Sequence, residues 1–172
     1  WAYEVHVLQL QIKVCIAIKQ LMICLIGICK RDCIPRPSAT VQPMQGLHLT
    51  ADLHDCRCDS AWLLHAAQLG SACRSATLAA GLQVVNEVFH SFPASAHGPG
   101  GVTATLLLAE SHLCIHTWPE HRAVTLDVYV CNFGGDHSAK ARALMEALLA
   151  LFEPHHTERH TLQRGAAPQL SP

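Results

Sequence analysis

The sequence predicts an α+β fold, a two-layer sandwich in which a largely antiparallel sheet carries helices on one face. Three observations point there. Leu47, Leu49, Ala51 and Leu53 alternate with His48, Thr50, Asp52 and His54, and Val124–Val130 alternates in the same way, the period of half-buried strands. Ala141, Leu144, Met145, Leu148 and Leu151 fall on one stripe of a helix over 138–152. The order strand, helix, strands, helix, strand then suits a sheet whose helices gather on one side.

Taken in order, residues 1–43 read differently from the rest. Leu8–Cys29 is apolar but broken by Gln9, Gln11, Lys13, Lys19 and Gln20. Its longest unbroken run, Leu21–Cys29, is far short of the ~20 residues of a membrane span. The run has the look of a signal-peptide core, but Cys29–Cys33 is no small-residue cleavage site, and Ile34–Ala39 reads as a linker. The expectation is a natural start at Met44, with 1–43 an atypical extension outside the native protein. Residues 44–162 form the domain proper.

After the first strand, Asp59 and Ser60 offer an N-cap for a helix over 61–80 that ends at Gly81 and is bent or broken at Gly70 and Ser71. Gln83–Phe92 reads as a second strand and Pro93–Gly100 as a loop. Val102–Ala109 is a third strand. Leu113–Thr117 continues it, or begins another, after a break at Glu110, Ser111 and His112. Val124–Val130 follows, then a helix over Ser138–Phe152 capped by Asp136 and a short closing strand over His155–Leu162. Residues 163–172, rich in Pro, Gly and Ala, read as a loose tail.

Composition narrows the function. Half of the 172 residues are apolar, 15% are charged and the net charge is −1, so no basic field exists to attract nucleic acid. Nine cysteines, scattered and odd in number, suit a reducing cytoplasm better than a disulfide framework. Cys56, Cys58 and His54 hint at a metal, but no second pair stands at finger-like spacing and no metal site is expected.

Glu110, Ser111 and His112, followed by His116–Glu120, carry the chemistry. This segment resembles the processing motif of bacterial and archaeal S-adenosylmethionine decarboxylases, the pyruvoyl-dependent proenzyme family. The likeness runs from about Gly46 to Arg159 and includes Phe89–Phe92 and Leu126–Cys131. It implies cleavage between Glu110 and Ser111, with Ser111 converted to a covalent pyruvoyl group that joins the substrate amine. By the same resemblance His116 is the processing base, Cys131 the proton donor to the carbanion, and Thr103 the hydroxyl that holds the tetrahedral intermediate. Phe92 then faces the adenine and Glu120 the ribose hydroxyls. The chemistry is sound on its own terms. Decarboxylating an amino acid needs an electron sink that no side chain supplies. The alternative sink, pyridoxal phosphate, needs a lysine, and Lys13, Lys19, Lys30 and Lys140 stand in no convincing site.

The implied activity is conversion of S-adenosylmethionine to its decarboxylated form plus CO2 for spermidine synthesis, in a homodimer of cleaved protomers without nucleic-acid or membrane partners. Several residues depart from the family pattern. Thr103 and Ala104 replace a serine and a glycine, Cys114 a small hydroxyl residue, and His121 and Arg122 a Tyr-Gly pair, while the 93–100 loop is longer. An arginine near the pocket disfavours a sulfonium cation unless it points away, which leaves arginine or ornithine as alternative substrates. The changes at Thr103 and Ala104 leave an unprocessed regulatory relative as a further alternative. Trp118 is expected to pack, and His112 belongs to the motif without a defined role.

Overall fold

The structure is a computed structural model and describes residues 45–165 apart from His97. The expected extension over 1–43, the start at Met44 and the tail beyond Gly165 lie outside the described residues. The chain forms β1 (Gly46–His54), α1 (Ala61–Leu64), α2 (Ala66–Ala79), β2 (Val84–Ser91), β3 (Val102–Leu108) and β4 (Ser111–Trp118). A 3-10 turn (Pro119–His121), β5 (Ala123–Cys131), α3 (Ser138–Phe152) and β6 (His156–Arg164) complete it. The six strands form one sheet in the order β2-β3-β4-β5-β1-β6, and every neighbouring pair is antiparallel.

The alternation read from sequence sorts the sheet into two faces. Leu47, Leu49, Ala51 and Leu53 of β1, Leu113 and Ile115 of β4, and Val124, Leu126 and Val128 of β5 are buried beneath the helices. They meet Leu63 of α1, Leu69 and Cys73 of α2, and Leu144, Leu148 and Phe152 of α3. Each buried Leu, Ile, Val or Phe among them is worth about 1.5–3 kcal/mol, which makes this face the main source of stability. The opposite face carries His48, Thr50, His112, Cys114, Asp127 and Tyr129, all only half-buried.

Two boundaries differ from the sequence reading, each for a tertiary reason. The first helix is broken at His65, whose backbone is extended (φ −114°, ψ 106°), and not at Gly70 or Ser71, which lie inside α2. The Leu63 carbonyl is taken by the Thr117 hydroxyl of β4 at 2.7 Å, and Leu69 N–H restarts the ladder on His65. Asp59 supplies the cap at the start of α1: its Oδ1 accepts the Ala61 N–H at 2.9 Å, whereas Ser60 makes no side-chain cap. Finally, β6 runs to Arg164 because Gly46 and Leu47 of β1 pair with Arg164 and Gln163, so the first two residues of the expected tail are strand.

Candidate active site

The break expected around Ser111 reduces to a two-residue turn. Leu108 pairs with Ser111, so Ala109 and Glu110 alone join β3 to β4. Tight hairpins need positive φ in the turn, and here Glu110 supplies it at φ 55°. A residue with a Cβ held there costs about 1–2 kcal/mol, so the Glu110–Ser111 bond sits next to local strain. The Ser111 hydroxyl oxygen accepts the backbone N–H of Cys131 at 3.1 Å, and the Cys131 side chain is buried beside it. Glu110, Ser111, Cys131, His137 and Lys140 line one cavity of about 220 Å³. Lys140, read from the sequence as outside any site, therefore lines the same cavity as the Glu110–Ser111 turn.

The far end of the same hairpin carries the other residues. Thr103 pairs with His116, and Thr103 Oγ1 is hydrogen-bonded to His116 Nδ1 at 2.8 Å. They share a cleft of about 400 Å³ with Phe92, Trp118 and Glu120, under the wall made by Pro93, Ser95 and Pro99 of the long loop. Trp118, expected to be a packing residue, is 48% exposed and lines this cleft. Its floor requires glycine. A Cβ at Gly100 would stand 2.0 Å from the Phe92 carbonyl, and one at Gly101 the same distance from that of Thr117.

The structure thus brings Phe92, Thr103, His116 and Glu120 together, and Glu110, Ser111 and Cys131 together, but not the two groups. β4 runs without a bend from Ser111 to Trp118, so the five residues from Ser111 to His116 span roughly 16 Å. The two side chains also point to opposite faces. The expectation that His116 reaches Ser111 across a short strand bend is corrected for a single protomer.

Arg122 points away from the cleft. It occupies the left-handed region (φ 46°), which a glycine would take without strain. Its Nε donates to the Cys56 carbonyl at 2.5 Å and its Nη2 to the Cys58 carbonyl at 2.6 Å, clamping the segment before α1. The objection to a sulfonium substrate falls away. Arg122→Ala, which loses both bonds and keeps the strain, should lower stability by about 1–3 kcal/mol, and Arg122→Gly by less. Urea unfolding midpoints of the two variants check the order.

Cys56 and Cys58 do not join His54 in a ligand set among the described residues. Burial, then the neighbouring Cys58 charge, pushes the Cys56 thiol up to about 11, and burial also raises Cys58, so both stay protonated near neutral pH. On the open sheet face His48 Nε2 and His112 Nε2 lie 2.6 and 3.3 Å from Asp127 Oδ1, a cluster that sequence reading missed. Arg164 Nη1 lies 3.1 Å from His48 Nδ1 and can only donate to it, so His48 presents an Nε2–H to Asp127. This is a hydrogen-bonded chain, and its tautomer is the reverse of what an ion on Nε2 would need.

Fold and site together define a helix-covered antiparallel sheet with a serine beside a strained turn at one end of a hairpin and a His–Thr pair at the other. Comparison with known proteins makes the assignment specific. The model of the S-adenosylmethionine decarboxylase family matches residues 47–165. The S-adenosylmethionine decarboxylase proenzyme of Persephonella marina is 36% identical over 123 residues, covering 72% of this chain and 84% of that protein. That of Parasynechococcus marenigrum is 38% identical over 120 residues, with 70% and 83% covered. The crystal structure of the Aquifex aeolicus adenosylmethionine decarboxylase superposes with a TM-score of 0.63 at 30% identity, over 76% of this chain and 99% of that one. The chain belongs to the S-adenosylmethionine decarboxylase family.

Proposed function

We propose that this chain is a self-processing S-adenosylmethionine decarboxylase that cuts itself between Glu110 and Ser111 and carries a pyruvoyl group made from Ser111. It releases CO2 and yields the decarboxylated aminopropyl donor for spermidine synthesis. The observation that carries the reading is the hairpin turn: a strained Glu110 next to a serine whose oxygen is held by the Cys131 N–H. Attack of that oxygen on the Glu110 carbonyl carbon gives an ester, and loss of the Ser111 α-proton expels the Glu110 carboxylate. The pyruvoyl group supplies an electrophilic carbonyl that takes up the electrons left when CO2 departs. Cys131 returns a proton to the substrate carbon, Phe92 offers an aromatic face to the adenine, and Glu120 accepts from the ribose hydroxyls. A reducing cytoplasm suits the five free thiols of the described residues.

The working unit is a homodimer of cleaved protomers. Half of the residues that processing needs lie about 16 Å from Ser111 within one protomer, so the reading requires them from a second copy. The sheet face that no helix of the described residues covers offers the surface for it, with Val88, Leu107 and Leu162 exposed there. With Nδ1–H donating to Thr103 Oγ1, His116 keeps Nε2 free to take the α-proton of the partner's serine.

Mass spectrometry of the denatured protein tests the processing. Chains ending at Glu110 and beginning at position 111 with a pyruvoyl end group are expected. A single uncut chain, inactive toward S-adenosylmethionine, would overturn the reading.

A further inference from the structure

Lys140 is the sole lysine of the described residues, and the family resemblance gives it no role. It lies in the first turn of α3, half-buried, with its stem 3.8 Å from where a Cβ on Gly81 would stand. Its ammonium has no hydrogen-bond or ion-pair partner among the described residues, whereas Arg74 and Arg159 pair with Glu87 and Glu146. Its stem packs into the fold while the ammonium stays unpaired, available to a charge that forms in the cavity. The cavity that Lys140 lines also holds Glu110, Ser111 and Cys131, and its other ionisable neighbour is His137. Among the described residues, no side-chain carboxylate other than that of Glu110 lines this cavity.

We propose that Lys140 stabilises the carboxylate that self-processing creates at the Glu110 main chain, and so drives the elimination step. This inference rests on the processing reading above. In the ester, Ser111 Oγ is bonded to the Glu110 carbonyl carbon and the Ser111 nitrogen is a free amine. A base removes the Ser111 α-proton, the electron pair forms the Cα–Cβ double bond, and the Cβ–Oγ bond breaks with its pair going to the Glu110 carboxylate. Water then displaces the nitrogen as ammonia. Negative charge develops on the departing carboxylate, where a fixed cation in a confined site has its greatest effect. The Cys131 N–H, which holds Ser111 Oγ before attack, offers a hydrogen bond at the same oxygen as it leaves. Lys140 and that amide then share the developing charge.

The role predicts which intermediate accumulates. Lys140→Gln should slow chain cleavage at least about tenfold and leave an uncut chain that neutral hydroxylamine splits at Glu110, because the ester forms but does not eliminate. Lys140→Arg, which restores the charge, should recover cleavage and lose the hydroxylamine sensitivity. Time-resolved intact-mass spectra with and without hydroxylamine read both. Cleavage of Lys140→Gln at the unmodified rate would overturn the proposal, as would an uncut chain resistant to hydroxylamine, which would put the block before the ester. Failure of Lys140→Arg to recover cleavage would also overturn it. Failure of the unmodified chain to cleave is a separate result and would remove the processing reading itself.

Discussion

Ser111→Ala will remain a single chain of 18.7 kDa and will release CO2 from S-adenosylmethionine at the background rate, a loss of more than about 10⁴-fold. The loss is this large because, on the processing proposed above, one residue serves twice. In that processing Ser111 Oγ would be the nucleophile that opens the chain, and its carbon skeleton would remain as the electron sink. No neighbour can substitute. Cys131 is adjacent but stands on the next strand, so its thiol cannot leave a ketone at the cut end. Thr103 is at the other end of the hairpin. The cost to the fold is small by comparison. Removing the hydroxyl frees the Cys131 N–H from its 3.1 Å bond, worth about 1 kcal/mol. The variant should therefore fold with nearly the same urea midpoint as the unmodified precursor, which separates lost chemistry from lost structure. Activity in an uncut, folded Ser111→Ala chain would refute the pyruvoyl reading outright.

What could be read in the sequence was local, and what could not was tertiary. The alternation of β1 and β5 named the buried face correctly because a strand's period of two holds wherever one face is covered. The break of the first helix was misplaced because its cause is the Thr117 hydroxyl, 54 residues from the Leu63 carbonyl it binds. Arg122 was a cation of unknown direction for the same reason: the carbonyls it clamps are 66 and 64 residues away. Nothing local marks Lys140, because only the packing of α3 brings it to the hairpin turn. The motif named Ser111, His116 and Cys131 by resemblance, but a spacing of five residues is short in a bend and long in a strand. The sequence around His112 does not say which it is; the unbroken pairing of β4 with β5 does.

That spacing leads to the second large effect, in a mixture of two dead chains. On the proposed processing Ser111→Ala lacks the nucleophile and His116→Ala the base, so expressed alone the first should stay uncut and the second should be slowed about 10²–10⁴-fold. If His116 acted on its own protomer, mixing them would change nothing, because no chain carries both groups. In a twofold dimer with shared sites, each mixed pair joins one intact Ser111 to one intact His116 and leaves the other site doubly defective. Random assortment of equal amounts makes half of the dimers mixed, so about a quarter of the normal number of sites should process. Only the His116→Ala chain should be cut, since it alone keeps its serine. Co-expression with distinct tags, followed by intact-mass analysis of each chain, reads this directly. Cleavage confined to the His116→Ala partner, with decarboxylase activity rising from background, requires the second copy to supply His116. No cleavage in the co-expressed pair would require the hairpin to bend in solution and bring His116 to Ser111 within one protomer, against the continuous β4 pairing from His112 to Trp118.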